Sequence, residues 1–144
     1  MTQRERILVS ACLLGEPCRY DGKAVPCEAV QALAASFELV PVCPEQLGGL
    51  PTPRTPSEIQ PDGRVVDREG HDRTATFQAG ARAAVALARE SGCTRAILKS
   101  RSPSCGVTEI YDGTFTGKLT PGQGITTTAL QSAGLTITDE SALE

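Results

Sequence analysis

The chain has no tryptophan, only three phenylalanines and two tyrosines, and one histidine. So few rings leave little on which unpaired bases can stack, and stacking is how single-strand binders hold nucleic acid. Positive charge is not in excess either. Fourteen Lys and Arg stand against seventeen Asp and Glu, for a net charge of −3. Tracking a long phosphate backbone requires the opposite balance, so no large nucleic-acid surface is expected. No apolar run approaches the roughly 20 residues that cross a bilayer, and no membrane partner is expected. With His71 alone, a Cys2His2 zinc site is excluded. What remains, 40% hydrophobic and 22% charged residues over 144 positions, predicts one soluble folded domain spanning 1–144.

Against that background the six cysteines stand out. A chain of this length buries a sizeable core without covalent staples. The thiols are Cys12, Cys18, Cys27, Cys43, Cys93 and Cys105, and no pair has C-x-x-C spacing. An even count invites a secreted disulfide framework. The N-terminus invites it too, since Ile7 to Ala11 runs into Cys12 like a lipoprotein cleavage box. That apolar stretch is five residues long, however, and a signal core needs about 7–15. It reads better as a buried strand. A cytoplasmic location follows, where thiols stay reduced and clusters of them signal metal binding, catalysis or packing.

Periodicity predicts an α/β domain with a mainly parallel sheet flanked by helices, plus one or two small hairpins. Strands are expected at Ile7–Ala11, Glu38–Val42, Arg95–Lys99 and Leu135–Thr138. Pro26 suits a first helical position, and Val30, Leu33, Ala34 and Phe37 follow at helical spacing. Thr74–Glu90 carries the clearest helix, with Phe77, Ala81, Ala84 and Ala88 on one stripe and Gly92 at its cap. A further helix is expected at Ile125–Ala133. Between Cys43 and Pro61 five prolines predict an irregular loop, and a loop that long is usually functional. Residues 59–66 read as a small hairpin, and Asp112-Gly113 reads as the turn of another, between Thr108–Tyr111 and Thr114–Lys118. Gly122-x-Gly124 precedes a helix, where phosphate can bind, but a bare G-x-G more simply marks a turn. The tail Glu140–Glu144 is expected to fray.

On this reading Cys12 and Cys43 directly follow the first two strands, and Cys105 lies six residues after the third. Ligands of open parallel sheets bind beyond the strand carboxyl ends. Three thiols therefore converge on one edge. Cys27 and Cys93 fit packing positions. Cys18, in the loop beside Arg19, can reach the same edge. A 4Fe-4S cluster usually takes four cysteines; with three, one iron stays open to act as a Lewis acid. Zinc with three thiolates and a water is the rival reading, and three unrelated buried thiols is the plain one.

The flanks narrow this choice. Ser10-Ala11-Cys12-Leu13-Leu14-Gly15 is followed by Cys18-Arg19-Tyr20-Asp21-Gly22. Pro41-Val42-Cys43-Pro44-Glu45, Gly48-Gly49-Leu50 and Pro53-Arg54-Thr55-Pro56 come next, and then Leu98-Lys99-Ser100-Arg101-Ser102-Pro103-Ser104-Cys105-Gly106. Together these resemble the thiouracil desulfidase (TudS-like) family over nearly the whole chain. The resemblance implies a cytoplasmic iron–sulfur enzyme that removes sulfur from thiolated uracil. It implies a 4Fe-4S cluster held by Cys12, Cys43 and Cys105 with one open iron, and Glu45 and Ser102 as catalytic groups.

The chemistry suits those residues. A thiocarbonyl sulfur is soft and matches iron. A carboxylate at Glu45 can shuttle protons between water, ring and leaving sulfur. Ser10, Cys18, Arg19, Arg54 and Lys99 are the expected substrate contacts, and Lys23 and Arg101 add to a local basic excess suited to a nucleotide phosphate. The expected partner is a small thiolated pyrimidine base or nucleotide. Other readings are desulfuration of thiouridine within tRNA and a non-catalytic iron–sulfur or zinc sensor.

Overall fold

The computed structural model describes residues 4–143. Four parallel strands form the central sheet in the order β2-β1-β5-β8: β1 (Arg6–Ser10), β2 (Glu38–Val42), β5 (Arg95–Leu98) and β8 (Thr136–Asp139). Two small antiparallel pairs stand beside it, β3 (Ser57–Ile59) with β4 (Val65–Asp67), and β6 (Glu109–Tyr111) with β7 (Leu119–Pro121). The predicted fold class is thus the observed one. Pro41 is tolerated because β2 is an edge strand, where a missing ladder donor is least costly.

Strand alternation divides the core in two. Leu8, Ala96 and Leu98 pack with Ala84 and Ala88 of α3 (Thr74–Ser91) and Leu130 of α4 (Ile125–Ser132). Ile7, Val9 and Ile97 pack in a second cluster with Leu13 and with Val30 of α1 (Glu28–Gln31). The predicted stripe on α3 is buried, and Gly92 caps the helix in the left-handed conformation. The helix expected from Pro26 to Phe37 is shorter: α1 gives way to a 3-10 turn at Ala32–Ala35. Only Val30 is buried in this stretch, too little apolar surface to hold a longer α-helix.

Two further expectations are corrected. The β6–β7 connection is not a two-residue Asp-Gly turn but a seven-residue tip, 112–118, whose amides are satisfied largely by side chains. The tail does not fray through its described part. Glu140–Leu143 forms a 3-10 turn with Glu140 buried, because its carboxylate accepts from Ser100 N–H at 2.8 Å. Glu144 lies outside the described residues.

The chain leaves β1 toward β2 on one side and returns to β5 on the other. The carboxyl ends of β1 and β5 flank the point where the winding direction switches, the usual ligand crevice of an open α/β sheet. No described helix is long and apolar enough to cross a membrane.

Candidate active site

A cavity of about 360 Å³ opens at that switch point. Its inner wall is built by the strand ends. Cys12 sits in a 3-10 turn immediately after β1, Cys43 immediately after β2, and Cys105 in the loop after β5. All three line the cavity, and Cys18 joins them. Cys93 is buried in the sheet core with α3 and α4, and Cys27 is half-buried against the α1 side. All six cysteines are free thiols. Cys12, Cys18, Cys43 and Cys105 thus line the cavity, and Cys27 and Cys93 do not.

The four lining thiols crowd one another. Cys18 is pushed up to about 11, first by the neighbouring Cys12 thiol, with burial adding to it. Cys43 is raised by Cys18 and by burial, and its thiol donates to the Cys18 carbonyl at 3.7 Å. Burial raises Cys105 to about 11, against hydrogen bonds from Ser10 and Ser104 that favour the thiolate. Cys18, Cys43 and Cys105 thus resist ionisation until a cation arrives, and a bound metal deprotonates coordinating thiols outright. No group of three or more His, Cys, Asp or Glu among the described residues is placed to hold a single metal ion. A cubane spreads its thiolates over separate irons and does not need them to meet at one point.

Glu45 reaches the cavity from α2 (Pro44–Leu47), a single helical turn seated on α3. The seat requires glycine on both helices. A Cβ on Gly80 would collide with the Pro44 carbonyl oxygen, and one on Gly48 with the Thr76 carbonyl oxygen. The Ser102–Cys105 loop is anchored just as closely. Amides of Ile125, Thr126 and Thr127, at the start of α4, donate to the carbonyls of Pro103 and Ser104, and a Cβ on Gly124 would strike the Ser104–Cys105 peptide. These α4 amides hold the cysteine loop, so the Gly122-x-Gly124 turn does not offer them to phosphate.

Ser102 accepts from the Ser104 and Cys105 amides, both at 3.1 Å, and its hydroxyl lies 2.9 Å from that of Ser104. Ser104 is 1% exposed, and its Oγ donates to Glu45 Oε2 at 3.2 Å. Ser104 has one proton to give, to Glu45 or to the Cys105 sulfur 3.6 Å away; with it on the carboxylate side, Ser102 donates to Ser104 in turn. The serine singled out by the sequence is thus one hydroxyl removed from Glu45. Arg54 Nη2 stands 3.4 Å from the same Oε2 and donates to the Cys18 carbonyl at 3.1 Å. Arg54 Nε is buried with no partner.

The remaining predicted contacts also line the cavity, each already engaged. Ser10 Oγ accepts from Lys99 N–H at 2.8 Å, tying β1 to β5. Lys99 Nζ lies 3.1 Å from Glu140 Oε2. Arg19 pairs with Asp21 at 3.8 Å and Arg101 with Glu109 at 3.6 Å. Lys23 is exposed and is not part of the lining. Sequence reasoning missed Ser104, Glu58, Arg68, Tyr111, Phe115 and Glu140. Only Ser104 carried a local signal, its place beside a ligand-type cysteine.

Three comparisons bear on this arrangement. The chain is 44% identical to a solved structure described as the [4Fe-4S]-dependent thiouracil desulfidase TudS, with a TM-score of 0.90 over 97% of this chain and 93% of that one. It is also 40% identical to YbbK of Bacillus subtilis, an uncharacterized protein, over 95% of this chain and 97% of that relative. The profile of the 2-thiouracil desulfurase family matches residues 7–142, nearly the whole chain. With a family match over nearly its whole length and a 44% identical structural relative, this chain belongs to the 2-thiouracil desulfurase family.

Proposed function

We propose that the chain is a 4Fe-4S-dependent desulfidase of the cytoplasm that replaces the thiocarbonyl sulfur of a thiolated uracil or thiouridine nucleotide with oxygen from water. The reaction is non-redox: thiocarbonyl and water give the oxo base and hydrogen sulfide. The observation that carries this reading is the meeting of Cys12, Cys43 and Cys105 with the Glu45–Ser104 pair in one cavity.

The residues fit the cofactor. The donors are soft thiols, free of disulfides, drawn from three separate segments. Beside them Arg54 keeps a buried, unpartnered N–H, suited to an anionic group. Cys12, Cys43 and Cys105 would hold the cluster, which when bound supplies a Lewis-acidic iron for the substrate sulfur. The protein's own groups handle the protons. Glu45 accepts a proton from the attacking water and returns one to the departing sulfur or ring nitrogen. Ser104 and Ser102 extend that carboxylate into a hydroxyl relay. Arg54 fixes the carboxylate's orientation.

A nucleotide is favoured over the free base by the unevenness of the cavity's cations. Arg19, Arg54, Lys99 and Arg101 each have a carboxylate partner, whereas Arg68 has none among the described residues. An anionic substrate group gives Arg68 that partner.

The test is anaerobic reconstitution with iron and sulfide, followed by thiouracil or thiouridine monophosphate with sulfide release as the readout. Turnover by the loaded protein is expected, and its absence in a fully loaded sample rejects the proposal. Glu45→Gln should keep the cluster and lower kcat by about 100-fold. Arg68→Ala should raise KM for the monophosphate and leave that for the free base unchanged.

A further inference from the structure

Rings are scarce in this chain, yet Tyr20, Tyr111 and Phe115, three of its five, line the cavity at the sheet edge. Of the other two, Phe77 is buried in the core and Phe37 packs at the edge of the second cluster. Phe115 is the most heavily constrained of the three. It lies at the β6–β7 tip with φ at 58°, a left-handed conformation that bulky side chains rarely adopt. Such backbone persists only where its surroundings enforce it, and it collects at functional positions.

The enforcement comes from the other hairpin. Glu58 of β3 accepts from Gly113 N–H at 3.0 Å and from Phe115 N–H at 3.2 Å, both on Oε1. Gln60 Nε2 donates to the Gly113 carbonyl at 3.1 Å. Glu58 is 9% exposed and has no cationic partner among the described residues. A buried carboxylate without a counter-charge is an expensive way to fasten a surface loop. The gain is conformational: the clasp fixes the backbone at a single aromatic residue. Arg68 completes the surroundings, its guanidinium carbon 5.9 Å from the Phe115 ring centre.

We infer that Phe115 grips the substrate by presenting an aromatic face to its planar pyrimidine ring, and that Glu58 is the positioning residue that holds the tip for this purpose. The inference rests on the desulfidase reading and adds the residue that grips the base. Stacking on an aromatic face is sequence-tolerant and needs only a flat ring. It binds substrate and oxo product alike, so it acts on affinity and not on the bond-breaking step.

The cluster-loaded enzyme is assayed for kcat and KM with thiouridine monophosphate, and for the Kd of uridine monophosphate by calorimetry. Phe115→Leu, which keeps apolar bulk but removes the ring, should raise KM and the product Kd about tenfold, with kcat within about twofold. Phe115→Trp should restore both. Glu58→Ala should mimic Phe115→Leu, and the double variant should be no worse than either single one, as expected of residues acting as a unit. Iron content and circular dichroism control for folding; if Glu58→Ala does not fold, the Leu and Trp pair decides the matter. An active enzyme whose KM and product Kd ignore Phe115→Leu overturns the inference and leaves the desulfidase reading standing. A loaded wild type that neither turns over nor binds the nucleotide overturns both.

Discussion

The inner and outer walls of the cavity are built by different means. The inner wall is sheet-borne: Cys12 and Cys43 follow their strands directly, and Cys105 sits on the start of α4. The outer wall is two hairpins fastened to each other by side chains, with Glu58 and Gln60 gripping the 112–118 tip. The inner wall inherits its rigidity from parallel ladders and two buried clusters. The outer wall depends on a few long-range hydrogen bonds. On the proposed reading the cluster ligands belong to the first and the substrate contacts Arg68 and Phe115 to the second, a division expected where rigid scaffolds carry functional loops.

The largest effect should come from the inner wall. Cys12→Ala, Cys43→Ala or Cys105→Ala should each abolish cluster retention and turnover, while Cys93→Ala keeps both; iron and sulfide content with visible absorption reads this directly. Equal loss at Cys93 would erase the distinction between site and packing thiols. A second effect tests whether the inner wall depends on helix seating. Gly80→Ala should force α2 from α3 and lower stability by about 1–3 kcal/mol, read as a fall in Tm, and should impair turnover through Glu45. An unchanged Tm would show that α2 shifts freely. The smallest effect belongs to the tail. Glu140→Gln keeps an acceptor for Ser100 but loses the charge opposite Lys99. Because Lys99 is part-exposed, screening limits the loss to below about 1 kcal/mol, detectable by denaturant titration.

The inner wall was legible because its signals are local. Ile7–Ala11, Glu38–Val42 and Arg95–Lys99 announce strands by composition, and the ends of parallel strands point to the ligand edge. The α3 stripe and Gly92 gave that helix to within a residue. The outer wall was legible only in part. Residues 59–66 read as a hairpin, but nothing near Phe115 announces a partner fifty-seven residues away. Asp112-Gly113 reads as a tight turn from its immediate neighbours; the distant Glu58 carboxylate instead accepts from the Gly113 and Phe115 amides. Glu140 looked like a free tail for the same reason.

Composition and strand positions, then, carry part of this by themselves. The scarcity of rings argues against a stacking platform along nucleic acid, and strand positions set Cys12, Cys43 and Cys105 apart from Cys27 and Cys93. Only the tertiary structure decided that three of the five rings meet at the cavity, that Cys18 stands among the site thiols, and that Ser104 is the hydroxyl on Glu45. The physical reason is one of range. Hydrophobic periodicity and strand ends are written in adjacent residues, whereas a carboxylate clasping a distant amide depends on where the folded chain brings the two together.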